Sequence, residues 1–125
     1  MTRILLAEDD QAMREYLARA LERSGYDVVA VDRGTAAAPL LKQEHFDLLL
    51  TDIVMPEMDG IELARHCNRV SPGTEVMFIT GFSGVALRAS ASMPSAKILS
   101  KPFHLKDLVL EVERLFSKES FGELK

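Results

Sequence analysis

Hydrophobic positions along the chain alternate between short continuous runs and stripes spaced by three and four. Arg3 to Ala7 (Arg-Ile-Leu-Leu-Ala) has the length and apolarity of a buried strand, and Glu8, Asp9 and Asp10 end it. From Met13 onward, Tyr16, Leu17, Ala20 and Leu21 fall on one helical face. Asp10 stands where it can cap the free first-turn amides, and Gly25 stands where a left-handed residue can stop the helix. Asp27 to Val31 is β-branched and predicts a second strand. Gly34 to Gln43 reads as a helix, and Pro39 predicts that it starts late, near Thr35 or Ala36, or is kinked. Asp47 to Thr51 is the third strand. Ile61, Leu63, Ala64 and Val70 predict a helix closed by Pro72-Gly73, and Glu75 to Thr80 a fourth strand. Val85, Ala86, Leu87 and Ala89 suggest a helix that Gly84, Ser90, Ser92 and Pro94 should make short or mobile. Ala96 to Leu99 is a short fifth strand. Leu105, Leu108, Val109, Val112, Leu115 and Phe116 form a strong last stripe, and the polar residues from Ser117 are expected to fray.

Strands that alternate with helices in this way imply βαβ units, hence a parallel sheet covered on both faces: a doubly wound α/β domain of five strands and five helices. The expected division is a domain over 1–117 and a short polar tail over 118–125, with no output domain.

Composition narrows the function classes. The 125 residues suit one domain, and the 47% apolar fraction supports a core. Fifteen Lys and Arg against nineteen Asp and Glu give a net charge of −4 without a basic cluster, which argues against nucleic-acid binding. One cysteine, Cys67, excludes an internal disulfide and fits a reducing compartment. No apolar run reaches membrane-spanning length, and the start lacks a secretory pattern. The chain is expected to be a soluble cytoplasmic monomer.

The chemistry is expected on one rim. Asp52 follows the apolar run Leu48-Leu49-Leu50-Thr51 and precedes a loop with Pro56 and an Asp59-Gly60 turn. In a parallel sheet the strand ends at Glu8-Asp9, Asp52, Thr80 and Lys101 lie at the same carboxyl edge, where such sheets bind ligands. Converging carboxylates need a cation, and oxygen ligands with room for water suit Mg²⁺ better than zinc. The Thr80 hydroxyl and the Lys101 ammonium add donors for an anion. The set looks built to bring Mg²⁺ and a phosphoryl group to one carboxylate, which needs no general base to act as a nucleophile.

Four motifs then carry a family resemblance: Arg3 to Asp10, Thr51 to Gly60, Phe78-Ile-Thr80-Gly81 and Ser100-Lys101-Pro102-Phe103. Over residues 3 to 117 the chain resembles the receiver domain of bacterial two-component response regulators, with its flavodoxin-like (βα)5 fold. The resemblance implies that Asp52 is the phosphoacceptor and that Asp9, Glu8 (in part through water), Asp52 and the backbone carbonyl of Val54 hold Mg²⁺. It implies that Thr80 is the switch hydroxyl, that the Gly81 amide faces the phosphoryl group, and that Lys101 binds it beside a cis bond to Pro102. Asp10 is read as the helix cap rather than a ligand. At Ile98, three residues before the lysine, many members carry a Tyr or Phe that swings inward. Ile98 has no ring, so the switch is expected to act through the loop after Thr80 and the helix near Val85 instead. Val54, two residues past Asp52, cannot orient attacking water, which predicts a long-lived acyl phosphate.

Within the family, Leu49 to Arg65, Met77 to Phe82 and Leu99 to Leu105 are similar to a stand-alone receiver of alphaproteobacteria. That implies phosphate delivered from a hybrid histidine kinase through a histidine phosphotransferase. It also implies engagement of the ClpXP protease by the unphosphorylated form, a link to the cell cycle and a position at the cell pole. The Gly81 to Ile98 side is the expected docking face.

Other readings fit less well. A chemotaxis-type shuttle, binding its target when phosphorylated, is the alternative within the family. A small-molecule phosphatase would want an acid where Val54 stands, and a flavodoxin-like nucleotide binder would want a Gly- or hydroxyl-rich loop instead of Glu8-Asp9-Asp10. No separate substrate, and hence no enzyme activity of that kind, is expected. His45, His66 and His104 share no ligand spacing and read as surface or packing residues, with His104 supporting the last helix. Met55, Met58 and Met77 read as packing. Phe82, Val85 and Leu87 beside Ile98 are expected under the sheet, with an exposed patch as the alternative.

Overall fold

The computed structural model describes residues 1–124 and has the order β1 (Arg3–Ala7), α1 (Gln11–Arg23), β2 (Asp27–Val31), α2 (Gly34–Gln43), β3 (Leu48–Asp52), α3 (Gly60–Val70), β4 (Glu75–Thr80), α4 (Ser83–Ser92), β5 (Lys97–Ser100) and α5 (Leu105–Leu124). All strands are parallel, in the order β2-β1-β3-β4-β5. The order reverses between β1 and β3, which leaves a crevice at their carboxyl ends.

Period-two alternation splits the core into two layers. Leu5, Ala7, Leu49, Val76 and Phe78 point to one face and pack with Ala37 and Leu41 of α2, Ala64 and Cys67 of α3, and Ala89 of α4. Ile4, Leu6, Leu48, Leu50, Met77 and Ile79 point to the other and meet Leu17 and Leu21 of α1 and Leu108 and Val112 of α5. Central strands buried on both faces read as continuous apolar runs, which is what makes β1, β3 and β4 conspicuous.

Several boundaries differ from the sequence expectation. β3 runs one residue later, because the Asp47 carboxylate accepts from the Arg3 amide (2.8 Å) at the strand's entry, while Asp52 pairs in register with Ile79. Asp52 is therefore the last ladder residue. β5 is also one later, since the Ala96 amide closes a turn onto Met93 and Ser100 pairs with Thr80. Helix α2 starts at Gly34 despite Pro39. Pro39 and Thr35, whose carbonyl lacks its i+4 donor, are both exposed, so water can serve that carbonyl while Ala37 and Leu41 anchor the helix. Helix α4 spans ten residues although Phe82, at its N-cap, supplies no side-chain cap. The α5 backbone is helical through Leu124, past the Phe116 end of the apolar stripe.

The caps explain how the crevice is framed. Asp10 accepts from the Met13 amide at 2.9 Å and starts α1. Asp59 accepts from the Glu62 amide at 2.9 Å and starts α3. Gly25 ends α1 with φ +98°, a conformation glycine adopts freely. The His104 carbonyl accepts from Asp107 and Leu108 at the start of α5.

Candidate functional site

Register places the acidic residues together. Ala7 lies beside Thr51, so Glu8 and Asp52 leave neighbouring strands side by side. Glu8, Asp9 and Asp52 each offer a carboxylate oxygen, and these oxygens lie within 4.8 Å of one another. Asp9 is exposed, Glu8 is fully buried and Asp52 is 7% exposed.

Lys101 closes the cluster from the loop after β5. Its Nζ lies 3.2 Å from Asp52 Oδ2 and 3.3 Å from Glu8 Oε1. The other Asp52 oxygen accepts from the Val54 amide at 3.3 Å, and Glu8 Oε2 accepts from the Asp10 amide at 3.2 Å. Burial, and next the charge of Asp52, push the Glu8 carboxyl up to about 7, against the opposing pull of the Asp10 amide and Lys101. Burial works to lower the Lys101 ammonium, but Asp52 and Glu8 together raise it above its ordinary value. Three carboxylates, all hard oxygen donors and one open to solvent, fit a divalent cation such as Mg²⁺.

The neighbouring strand ends complete the rim. Thr80 is buried, and its Oγ1 accepts from the Phe82 amide at 3.1 Å. Its carbonyl accepts from the Lys101 amide at 2.7 Å, tying β4 to the lysine loop. The Lys101–Pro102 bond is cis. Gly81 is exposed, and a Cβ there would stand 3.9 Å from Lys101 Cβ, so the space beside the lysine is open. Ile98 sits lower on β5, paired in register with Phe78 and packed on the α2–α4 side of the core.

Two structural requirements had no sequence signal. Gly60 starts α3 directly beneath the Asp52 loop: a Cβ there would collide with the Asp52 carbonyl and lie 2.9 Å from the Ile53 Cα. The sequence marks Gly60 only as a turn residue. Arg14 on α1 donates from Nη1 to the Glu8 carbonyl at 2.9 Å, yet in sequence it is one of several arginines on that helix.

The model of the response regulator receiver domain matches residues 4–113. The chain belongs to the response regulator receiver family. A relative of nearly the same extent is the response regulator receiver protein CpdR of Brucella abortus (strain 2308), 58% identical over 116 residues, 92% of this chain and 97% of that one. Two longer regulators are spanned over only 25% and 51% of their length. Among solved structures, a CheY-like receiver domain protein from Methanospirillum hungatei JF-1 superposes with a TM-score of 0.87 at 25% identity, covering 98% of both chains. The regulator TrrA of Thermotoga maritima, solved in complex with Mg²⁺ and BeF, superposes with a TM-score of 0.82 at 26% identity, covering 92% of this chain and 99% of that one.

The receiver fold, the parallel sheet and the acidic rim thus agree with the sequence expectation. The apolar group near α4 divides. Val85 and Ile98 pack against the core, whereas Phe82 is 60% and Leu87 74% exposed. Met77 is buried, Met55 nearly so, and Met58 packs at the core's edge. His45 faces Asp47 at the surface and His66 meets the Ala38 carbonyl, both far from ligand duty. Among the described residues no helix is long and apolar enough to cross a membrane.

Proposed function

We propose that this receiver is a phosphorylation-controlled interaction module of the CpdR type. The observation that carries the reading is the single ammonium of Lys101 bridging Asp52 and Glu8 at the end of adjacent central strands. The 58% identity to a receiver of similar extent supports the finer assignment.

In the proposed reaction a carboxylate oxygen of Asp52 attacks the phosphorus of a phosphohistidine on a histidine phosphotransferase, itself fed by a hybrid histidine kinase. The P–O bond forms as the P–N bond breaks, and the electron pair stays with the imidazole nitrogen. Lys101 acts as a point charge for the incoming oxygens. Mg²⁺, held by Asp9, Asp52, the Val54 carbonyl and, in part through water, Glu8, would neutralise charge on the phosphoryl oxygens. The Thr80 hydroxyl, now engaged by the Phe82 amide, is positioned at the rim to turn toward the phosphoryl group, with the Gly81 amide beside it. No separate substrate is turned over.

The output is a change of binding surface. A phosphoryl group adds about −1.5 to −2 charges, enough to bias a two-state surface. Exposed Phe82 and Leu87 sit on the segment that follows Thr80, which supports docking on the Gly81 to Ile98 side. In the CpdR-type reading the unphosphorylated form engages ClpXP in the cytoplasm, at the cell pole, and links it to the cell cycle.

The test is a pull-down with Asp52→Ala beside wild type locked by Mg²⁺ and beryllofluoride, with bound proteins identified by mass spectrometry. Enrichment of the ClpX unfoldase by Asp52→Ala alone is the expected result. Capture of a motor or kinase by the locked form alone would replace this reading with a chemotaxis-type shuttle.

A further inference from the structure

Two cations flank the acidic rim, and they hold it differently. Lys101 touches carboxylate oxygens, Glu8 Oε1 and Asp52 Oδ2, which are the atoms a divalent ion needs. Arg14 touches only main chain. Its Nη1 donates to the Glu8 carbonyl at 2.9 Å, and its own amide donates to the Asp10 carbonyl at 2.8 Å. The second bond is the first α-helical bond, which any residue here makes, so the side chain itself holds the acidic turn at Glu8, just before Asp9. The side chain is half-buried, which limits its freedom to swing away.

The rest of Glu8 is already fixed. Its amide donates to the Val31 carbonyl at 3.1 Å, and its two carboxylate oxygens are engaged by Lys101 and the Asp10 amide. The Arg14 bond completes the set of hydrogen bonds on this residue. Asp9, in contrast, is exposed, and no described residue bonds its side chain. Its direction is set by the backbone of the turn that Arg14 clamps. The guanidinium charge also reaches across to the loop after β2. Asp32 lies below the usual carboxylate range chiefly because of its bond to Arg33, with a smaller pull from Arg14.

We propose that Arg14 is a positioning residue for the divalent-cation site: its guanidinium clamps the Glu8-Asp9-Asp10 turn through the Glu8 main-chain carbonyl and so orients Asp9 toward Asp52. This rests on the reading of the rim as a cation site. Lys101 must share its oxygens with an entering cation. Arg14 contacts none of them and can keep its grip whether the site is filled or not.

The clamp makes a prediction opposite in sign to simple electrostatics. Removing a positive charge near a cation site should tighten metal binding, whereas loosening the turn should weaken it. Residues that orient a metal ligand typically contribute tenfold or more to affinity. Titration calorimetry with MgCl₂ on Arg14→Ala is expected to show affinity reduced by about tenfold. In EDTA its thermal midpoint should stay near that of Arg19→Ala, an exposed change on the same helix. Arg14→Lys retains the charge but not the reach and should fall between wild type and Arg14→Ala. Affinity unchanged or tighter in Arg14→Ala overturns the clamp, as does wild-type affinity in Arg14→Lys. Should Arg14→Ala fail to fold, the Arg14→Lys titration alone decides. Asp9→Asn separates the two levels of the argument. If it loses Mg²⁺ while Arg14→Ala does not, only the clamp falls; if it binds as wild type, the cation site itself falls.

Discussion

Glu8 is the group whose environment most strongly predicts a solution behaviour. It is fully buried beside Asp52, and its carboxyl is pushed from 4.5 up to about 7, by burial first and by the Asp52 charge second. Between those two pH values the folded protein binds a proton that the unfolded chain has released. Stability from this group is therefore complete below about 4.5 and is lost as pH rises through about 7. At about 1.4 kcal/mol per pH unit, the full difference is roughly 3 kcal/mol, or on the order of 10 °C in midpoint for a domain of this size. The perturbation is Glu8→Gln, which keeps the shape and removes the titration. Thermal and urea denaturation in EDTA, from pH 5.5 to 8, should show wild type losing stability relative to Glu8→Gln as pH rises. Adding Mg²⁺ should stabilise wild type more than the variant, which keeps Asp9 and Asp52 but loses the Glu8 charge; a ligand that binds only the folded state adds roughly 2.7 kcal/mol at a hundredfold excess over its Kd. The increment should grow with pH, since a protonated carboxyl is a poor ligand. A wild-type protein in EDTA that is as stable at pH 8 as at pH 6, relative to Glu8→Gln, would refute the argument.

Three further changes probe the rim. Gly60→Ala should cost about 3 kcal/mol, because its Cβ meets backbone that cannot yield, while Gly73→Ala, with nothing within 4 Å, serves as the control; equal denaturation midpoints for the two would remove the packing argument. Val54→Asn should hasten loss of the Asp52 phosphoryl group, since an amide at this 46% exposed position can orient water and valine cannot. Its decay is followed on phosphate-affinity gels, and an unchanged half-life would sink the idea. Hydrogen exchange on binding beryllofluoride should change over 81–92, because Thr80 Oγ1 now holds the Phe82 amide at the start of α4. Changes confined to β1, β2 and α1 would refute this route.

What the sequence made legible follows from which interactions are periodic. Strands β1, β3 and β4 are buried on both faces, so their residues form unbroken apolar runs that stand out against the helices. Parallel topology then places every strand's carboxyl end on one rim, and Asp52, Glu8, Thr80 and Lys101 meet there without further information. Boundaries were less legible wherever a side chain competes with the ladder. Asp47 looks like a strand residue until its carboxylate is seen to take the Arg3 amide. Pro39 looks disruptive until Thr35 and Pro39 are both seen to be exposed, where solvent can serve the orphan carbonyl.

The site's precision belongs to a different class of interaction. Gly60 and Arg14 act on main-chain carbonyls, of Asp52 and Glu8 respectively. Such contacts select no particular partner residue, so they leave no spacing or pattern in the chain. A carboxylate pair, by contrast, demands acids at fixed strand ends and writes itself into the sequence. The same division has a functional consequence. Residues that supply ligand atoms can be named from motifs, but the groups that decide how tightly those atoms converge act through the backbone. A change in cation affinity need not involve any ligating side chain, and in this receiver the turn after β1 is where such a change has the most leverage: it carries two of the three carboxylates and depends on one arginine outside the acidic motif for its outer hold.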